Sequence, residues 1–332
     1  MGFVQDWKIN FACANTLIKK KPIFAAWHIT YRCNLKCKFC SFWKNDVDVS
    51  RELSVKDFAE SSEKLTKLGV RVVNLAGGEP FVRKDLPDII RAFTKEHIVI
   101  INSNGSLINK DNARAIWEAG TDVMNISIDF FSKEKHDLYR GANSYDKAIK
   151  AIEYLCETRL RKSQKVAMQA ILSMENYHEF EDMVKLAERL EVDFTFNPYR
   201  PGEHEVDLSI KNYDLKFLYD LKKKYKCFKA TNYALQKTEE FVKKGYVPDC
   251  GMGKYMIAID PYGNIGPCEA KLNLIAGNIK QFNLYEIQRN LAEINKENTC
   301  FHCLTRERSE VEPLYHIGGW EWLENLFDVR KG

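Results

Sequence analysis

Three thiols, Cys33, Cys37 and Cys40, stand within eight residues in a Cys-x3-Cys-x2-Cys pattern with no fourth cysteine nearby. Structural zinc takes four protein ligands in a closed tetrahedron. A four-iron cluster takes one thiolate per iron. Three thiolates on such a cluster leave one iron open to a small chelating ligand, and this spacing points to that chemistry. His28 is the nearest histidine, but it falls inside a strand-like run and reads as a core or lining residue. Gly77-Gly78-Glu79-Pro80 follows the next strand-like run, and paired glycines let a ligand approach the backbone closely. Farther on, Cys250 and Cys268 flank a Pro261-Tyr262-Gly263-Asn264 turn, and Cys300-x2-Cys303 completes a set of four thiols. That set has no open position; zinc or a second iron–sulfur cluster would satisfy it. Cys13, Cys156 and Cys227 stand alone and read as small packing residues.

These groups need a scaffold, and the periodicity supplies one. Residues 23–30 form a short apolar run that delivers the first cysteine loop at its C-terminal end. Ser54-Val55-Lys56-Asp57 is a capping box, with Phe58, Leu65 and Leu68 at helical spacing before Gly69. Strands are expected at 71–75, 98–101, 123–128, 166–172 and 194–196. Helices are expected between them: one capped by Asp85 and carrying Ile89, Ile90 and Phe93, then 113–118, 145–157 and 180–190. Strand–helix alternation of this kind implies a parallel sheet with helices outside it. Six repeats rather than eight predict an α/β fold, a partial (β/α)6 barrel whose chemistry sits at the C-terminal ends of its strands. The alternation breaks at Pro198-Tyr199-Arg200-Pro201-Gly202. Helices around 215–225 and 230–244, a hairpin at 256–265, and a helix at 284–294 make a small C-terminal α+β extension. The expected organisation is an N-terminal amphipathic segment (1–22), a barrel (23–202), and linker helices with the extension (203–332). In the first segment Trp7, Ile9, Phe11, Ala12, Leu17 and Ile18 precede Lys19-Lys20-Lys21. It reads as a helix packed across the barrel end, with a lipid-surface contact as the sharper alternative. The chain closes on an aromatic tail, Trp320-Glu321-Trp322-Leu323.

Bulk composition narrows the class. With 332 residues, 45% hydrophobic and 29% charged, the chain supports a sizeable core. Fifty basic residues against 46 acidic ones leave +4, too mild to imply nucleic acid. No signal peptide and no eighteen-residue apolar run is present, so a cytoplasmic protein without a membrane span is expected. In a reducing compartment clustered thiols are metal ligands before they are disulfides.

The cysteine triad and the Gly77-Gly78-Glu79-Pro80 loop, at the ends of adjacent strands, resemble the radical SAM superfamily over about residues 23–200. The resemblance implies that Cys33, Cys37 and Cys40 hold a [4Fe–4S] cluster whose open iron is chelated by S-adenosylmethionine. It implies reductive cleavage of the sulfonium to a 5'-deoxyadenosyl radical that removes hydrogen from a substrate. Phe39 would then lie near the adenine, and Gly77, Gly78, Glu79 and Pro80 would hold the methionine moiety. Ser103-Asn104-Gly105 resembles the family's Thr-Asn-Gly, and Ser127-Ile128-Asp129 its Ser-Leu-Asp-Gly, with Ser127 near the ribose or carboxylate. Arg140-Gly141 resembles the Arg-Gly that follows, Arg140 being an apt carboxylate partner because its guanidinium is planar and bidentate; a surface ion pair is the plainer reading. Ser103 in place of Thr is a mild departure. Phe130 in place of Gly leaves the part played by Asp129 open.

The second thiol set, with Gly277-Asn278-Ile279 after the hairpin, resembles the SPASM/twitch extension, in its shorter twitch form. Cys250, Cys268, Cys300 and Cys303 would hold one auxiliary [4Fe–4S] cluster acting as an electron relay, with Arg306, Glu307 and Arg308 standing where the longer form has further thiols. His302 reads as exposed between two ligands. Asn197, Tyr199, Arg200 and His204 should border the cavity between barrel and extension. The implied reaction is an oxidation or rearrangement of a small-molecule, lipid or peptide substrate, fed by a reductant protein such as flavodoxin or ferredoxin. A non-catalytic metal-stabilised binding protein predicts zinc instead of iron, and an electron carrier would not need the Gly77–Pro80 loop.

Overall fold

The computed structural model describes residues 12–201, 206–211, 213–248, 250–298, 300 and 303–315. Trp7, Ile9, Phe11, His204, His302 and the Trp320–Leu323 tail lie outside the described residues.

Six parallel strands form in sequence order: β1 (Phe24–Thr30), β2 (Val72–Gly77), β3 (Ile98–Ser103), β4 (Val123–Ser127), β5 (Lys165–Leu172) and β6 (Asp193–Pro198). Alternate side chains of a strand take opposite faces. Trp27, Val73, Leu75, Val99, Ile101, Met124, Ile126 and Met168 join the helix-side core. The opposite face carries His28, Asn74, Asn102, Ser127, Gln169 and Asn197, which line cavities on the concave side. The concave face is therefore polar, and its polarity rises toward the strand ends where the cysteine loop begins. Trp27 is fully buried between Phe58 and Phe93, with ring centroids 5.0 and 5.5 Å away. Side chains of this size contribute on the order of 1.5–3 kcal/mol each when fully buried.

The helices follow from local signals. In α2 (Val55–Leu68) the Ser54 side chain and the Asp57 carboxylate close the capping box, and Gly69 ends the helix at φ 112°. Asn109 and Asn112 do the same for α4 (Lys110–Ala119). Asp85 precedes α3 (Leu86–Phe93) but does not cap it. Its carboxylate is taken by Arg83, with Nε at 2.9 Å and Nη2 at 2.6 Å. A guanidinium fork outcompetes a backbone N–H for a carboxylate within reach. The periodicity also misses α5 (Lys133–Arg140), a polar one-sided helix between β4 and α6 (Ser144–Thr158). The barrel's helical coat ends with α7 (Phe180–Arg189).

Past β6, α8 (Lys216–Lys224) and α9 (Asn232–Lys244) lead to the hairpin β7 (Met256–Ile259) and β8 (Asn264–Gly266), followed by β9 (Gly277–Asn278) and α10 (Leu284–Lys296). Strand β7 pairs parallel to β1, Phe24 opposite Met256 through Trp27 opposite Ile259, so the whole forms one nine-stranded sheet in the order β6-β5-β4-β3-β2-β1-β7-β8-β9. The extension is thus grafted onto the barrel sheet rather than set beside it. A further helix, α11 (Arg306–Val311), lies against the concave face, where Arg306 Nη1 donates to Thr195 Oγ1 at 3.1 Å and the Arg306 N–H to Asn197 Oδ1 at 2.7 Å. The first described helix, α1 (12–18), buries Cys13 and Thr16 and leaves Ile18 exposed. Thr16 Oγ1 donates to the Gly69 carbonyl at 2.9 Å. No described helix is long and apolar enough to cross a membrane.

Candidate functional site

The C-terminal ends of all six barrel strands open into one cleft of about 1380 Å3, counting its mouth. Cys33, Cys37 and Cys40 line it with Phe39, Gly77, Gly78, Ser103, Asn104, Ser127 and Arg140, brought together from the loop after β1, the ends of β2, β3 and β4, and the end of α5. No disulfide ties any of the three thiols.

The cysteine loop is held from two sides. Asn104 Nδ2 sits 3.9 Å from Cys33 Sγ and donates to Asn34 Oδ1 at 3.1 Å. The Lys38 N–H donates to the Tyr139 carbonyl at 2.9 Å, and Cys37 Sγ lies 3.8 Å from the Arg140 carbonyl. Burial pushes all three thiols up, Cys37 to about 12. Backbone N–H groups of Phe42 and Trp43 and the Arg140 guanidinium oppose this at Cys40. A thiol buried in this way is a ligand only once a metal supplies the compensating positive charge. Three thiols on one loop, facing one cleft, fit a thiolate-bound metal centre. Among the described residues no three metal-ligating side chains are closed into a single shell.

The paired glycines serve the protein before they serve any ligand. A Cβ on Gly78 would lie 2.1 Å from the Arg32 carbonyl oxygen, and one on Gly77 2.2 Å from that of Thr30. The Gly78 and Glu79 N–H groups donate to the Thr30 and Arg32 carbonyls, both at 2.8 Å. The Gly77–Gly78 loop is therefore docked on the chain leaving β1, just before Cys33. Glu79 and Pro80 stand off the cleft wall. The Glu79 carboxylate, 1% exposed, accepts from Ser103 Oγ at 2.8 Å, the Asn104 N–H at 2.8 Å and the Phe81 N–H at 3.0 Å. It fastens the β2 loop to the β3 loop.

Arg140, the last residue of α5, is buried, unlike a surface ion-pair partner. Its Nε pairs with Asp129, and its guanidinium lies 5.3 Å from the Phe39 ring centre. Asp129, 2% exposed, also accepts from the Ile171 N–H at 2.8 Å. The position left open by the sequence is thus the anchor of Arg140. Phe130 in the glycine's place stacks on Tyr139 at 4.9 Å, behind Phe39.

The second thiol set gathers in an adjoining pocket of about 590 Å3 lined by Cys250, Cys268, Cys300 and Cys303 with Arg200, Glu269, Thr305, Glu307 and Arg308. Burial pushes Cys268 up to about 11 and Cys250 upward, while a hydrogen bond with the Cys300 thiol and then burial raise Cys303. These four thiols also fit a closed metal shell. Arg308 braces the pocket by donating to the Cys303 carbonyl at 3.1 Å and the Val247 carbonyl at 3.2 Å. Arg200, Glu269, Thr305 and Glu307 line both the cleft and this pocket, and Asn197 and Tyr199 line the cleft. Glu269 and Thr305 of that shared wall carry no signal in the sequence. His28 Nε2 lies 3.2 Å from Glu269 Oε1, joining β1 to the loop after Cys268. Glu307 had been noted only for standing where a thiol might have been.

Residues 27–187 match the Radical SAM superfamily. This region of the chain belongs to that superfamily. The chain is 26% identical over 301 residues to mycofactocin maturase MftC of Mycolicibacterium smegmatis, spanning 85% of this chain and 75% of that protein. It is 30% identical over 172 residues to Fe-coproporphyrin III synthase of Methanosarcina barkeri, spanning 51% of this chain but 41% of that protein. SuiB of Streptococcus suis, solved bound to S-adenosylmethionine, shares the fold with a TM-score of 0.67 at 18% identity, covering 84% of this chain and 70% of that one.

Proposed function

We propose that this protein binds S-adenosylmethionine at a [4Fe–4S] cluster held by Cys33, Cys37 and Cys40, and directs the resulting radical at a substrate lying between the two thiol sets. The observation that carries this reading is the convergence of Cys33, Cys37, Cys40, Gly77, Gly78, Ser103, Asn104, Ser127 and Arg140 on one cleft inside the radical SAM region. When bound, the cluster supplies the electron that cleaves the sulfonium to a 5'-deoxyadenosyl radical. The chain's own residues orient and enclose. Arg140, fixed by Asp129 and stacked over Phe39, offers a guanidinium to a carboxylate. Phe39 offers an aromatic surface, Ser127 a hydroxyl, and the Gly77–Gly78 backbone a close approach.

Cys250, Cys268, Cys300 and Cys303 would hold an auxiliary [4Fe–4S] cluster as a one-electron relay. The small C-terminal unit is then of the twitch type, and the net reaction an oxidation or rearrangement. Lys36, Lys38 and Lys44 rim the cysteine loop, with Lys36 and Lys44 over Trp43 at 5.5 and 5.3 Å. A basic rim favours an acidic reductant such as flavodoxin or ferredoxin. A peptide substrate is supported by the likeness to a maturase over most of the chain, and small-molecule and lipid substrates fit the same chamber.

The test is anaerobic reconstitution, iron counting, and detection of 5'-deoxyadenosine after dithionite reduction. The expected result is about eight irons per chain, four per cluster, and deoxyadenosine formation lost when Cys33, Cys37 and Cys40 are replaced by Ala. Zinc in place of iron, or no SAM binding, overturns the reading. Replacing Cys300 and Cys303 by Ala separates the two centres: SAM cleavage persists and substrate turnover falls.

A further inference from the structure

Glu307 borders three spaces at once: the cleft, the second thiol pocket, and a third cavity inside the concave face. That third cavity, about 1200 Å3 with its open end, is lined by Asn74, Asn125, Thr195, Asp193 and Lys165. It carries buried polar atoms that lack protein partners: Asn74 Oδ1 and Asn125 Oδ1. Buried acceptors of this kind are satisfied by water. A hydrated lumen therefore ends on the inner side of Glu307, and the reaction chamber begins on its outer side.

The flanking arginines do not neutralise it. Arg306 is engaged by Glu310 at 2.8 Å and by Thr195, and Arg308 by Glu312 at 3.2 Å and three carbonyls. Among the described residues the half-buried Glu307 carboxylate accepts from its own backbone N–H and makes no ion pair or hydrogen bond with another side chain. From the loop after β8, Glu269 faces it, and Glu269 is engaged by His28 and near Arg200. Arg306 and Glu310 act on it from its own helix, and Asp193, Lys165 and Lys229 stand along the lumen. Burial, with the like charge of Glu269, pushes the carboxyl up to about 7. A carboxyl set there gains and loses a proton readily at neutral pH.

We propose that Glu307 is the proton-exchanging residue of the chamber, accepting the proton from an O–H or N–H group of the bound substrate and passing it to water in the lumen. In that step the substrate's O–H or N–H bond breaks heterolytically, its electron pair stays on the substrate, and the proton goes to a Glu307 carboxylate oxygen. The substrate class follows: an alcohol, amine or amide whose polar hydrogen sits beside the reacting carbon. The inference rests on the chamber assigned above, but its test does not need radical chemistry to occur.

Dicyclohexylcarbodiimide modifies carboxylic acids in their protonated form. The anaerobically prepared holoenzyme is treated with it across a pH series, and the modified residue is read by peptide mass spectrometry. Glu307 is expected to react ahead of exposed carboxylates such as Glu63, at a rate falling about tenfold between pH 6 and pH 8. In Glu310→Gln, which removes a like charge and frees Arg306, the midpoint should move to lower pH. Labelling of Glu307 that is pH-independent, no faster than at Glu63, or unmoved by Glu310→Gln overturns the proposal. Deoxyadenosine formation by the untreated enzyme is measured alongside; its absence counts against the radical reading alone.

Discussion

Asp129→Asn isolates the anchor of Arg140. Asn has nearly the volume of Asp and keeps an oxygen to accept the Ile171 N–H, now at 2.8 Å. What it removes is the negative charge facing Arg140 Nε, and it puts an amide donor against a guanidinium donor. Both partners are buried, Asp129 at 2% and Arg140 at 9% exposure. Breaking one side of a buried pair costs about 3–5 kcal/mol because the other charge is left uncompensated. At roughly 2 °C per kcal/mol for a chain of this size, Tm should fall by roughly 6–10 °C. The assay is thermal unfolding of anaerobically purified protein, followed by circular dichroism and by the visible absorbance of any bound cluster. Arg140→Met and the double variant close a cycle. The double variant should lose less than the sum of the singles by about 3 kcal/mol, since no charge is then stranded. A Tm within about 2 °C of wild type for Asp129→Asn, or simple additivity, would refute the assignment of Asp129 as the anchor.

Three further outcomes are expected. Gly78→Ala places a Cβ 2.1 Å from the Arg32 carbonyl oxygen; since that contact is backbone, the loop must shift, and SAM affinity measured by equilibrium dialysis should drop at least tenfold. Glu79→Gln sets an amide donor against the Asn104 N–H or the Ser103 hydroxyl, at a cost of about 1–3 kcal/mol in chemical denaturation, and loosens the Asn104 contact with the cysteine loop. His136 gives the pH dependence. Its Nδ1 accepts the Asp129 N–H at 3.3 Å, and burial, helped by Arg140, lowers its pKa to about 4. The unfolded chain therefore binds a proton that the folded one refuses, and stability is lost as pH falls from about 6.5 to about 4. At pH 5 the loss is about 2 kcal/mol, and His136→Leu should flatten that limb of the profile whatever it does to the baseline; an unchanged slope would remove His136 as its source.

The first thiol triad was legible because its members share one loop, and the loops that meet it follow strands whose periodicity is plain. Local signals also fixed the cap of α2, whereas α4 (Lys110–Ala119) starts three residues ahead of the expected 113–118, from an Asn109 cap. Asp85 shows their limit: the same residue is a cap or an Arg83 partner depending on a side chain two residues away. His28 and Glu269 were opaque for a stronger reason, being 241 positions apart. Their meeting depends on β7 pairing with β1, which nothing in a four-residue apolar run announces. Glu307 was invisible because its significance is what its neighbours do not do, both adjacent arginines being engaged elsewhere. Glu79 and the paired glycines, ligand contacts by the resemblance, are in the structure also the joints between loops, a part that depends on pairings far apart in the chain.

The parallel ladder between β1 and β7 has a mechanical consequence. Cys33 leaves the end of one of these strands, and Cys268 follows the hairpin begun by the other. A hinge that swung the C-terminal unit outward would have to tear main-chain hydrogen bonds from the centre of a nine-stranded sheet. The loops carrying the two thiol sets therefore spring from neighbouring strands of one continuous sheet. A chain cut short before Met256 would bare a flank of β1 that is normally covered, and such unpaired strands adhere to one another.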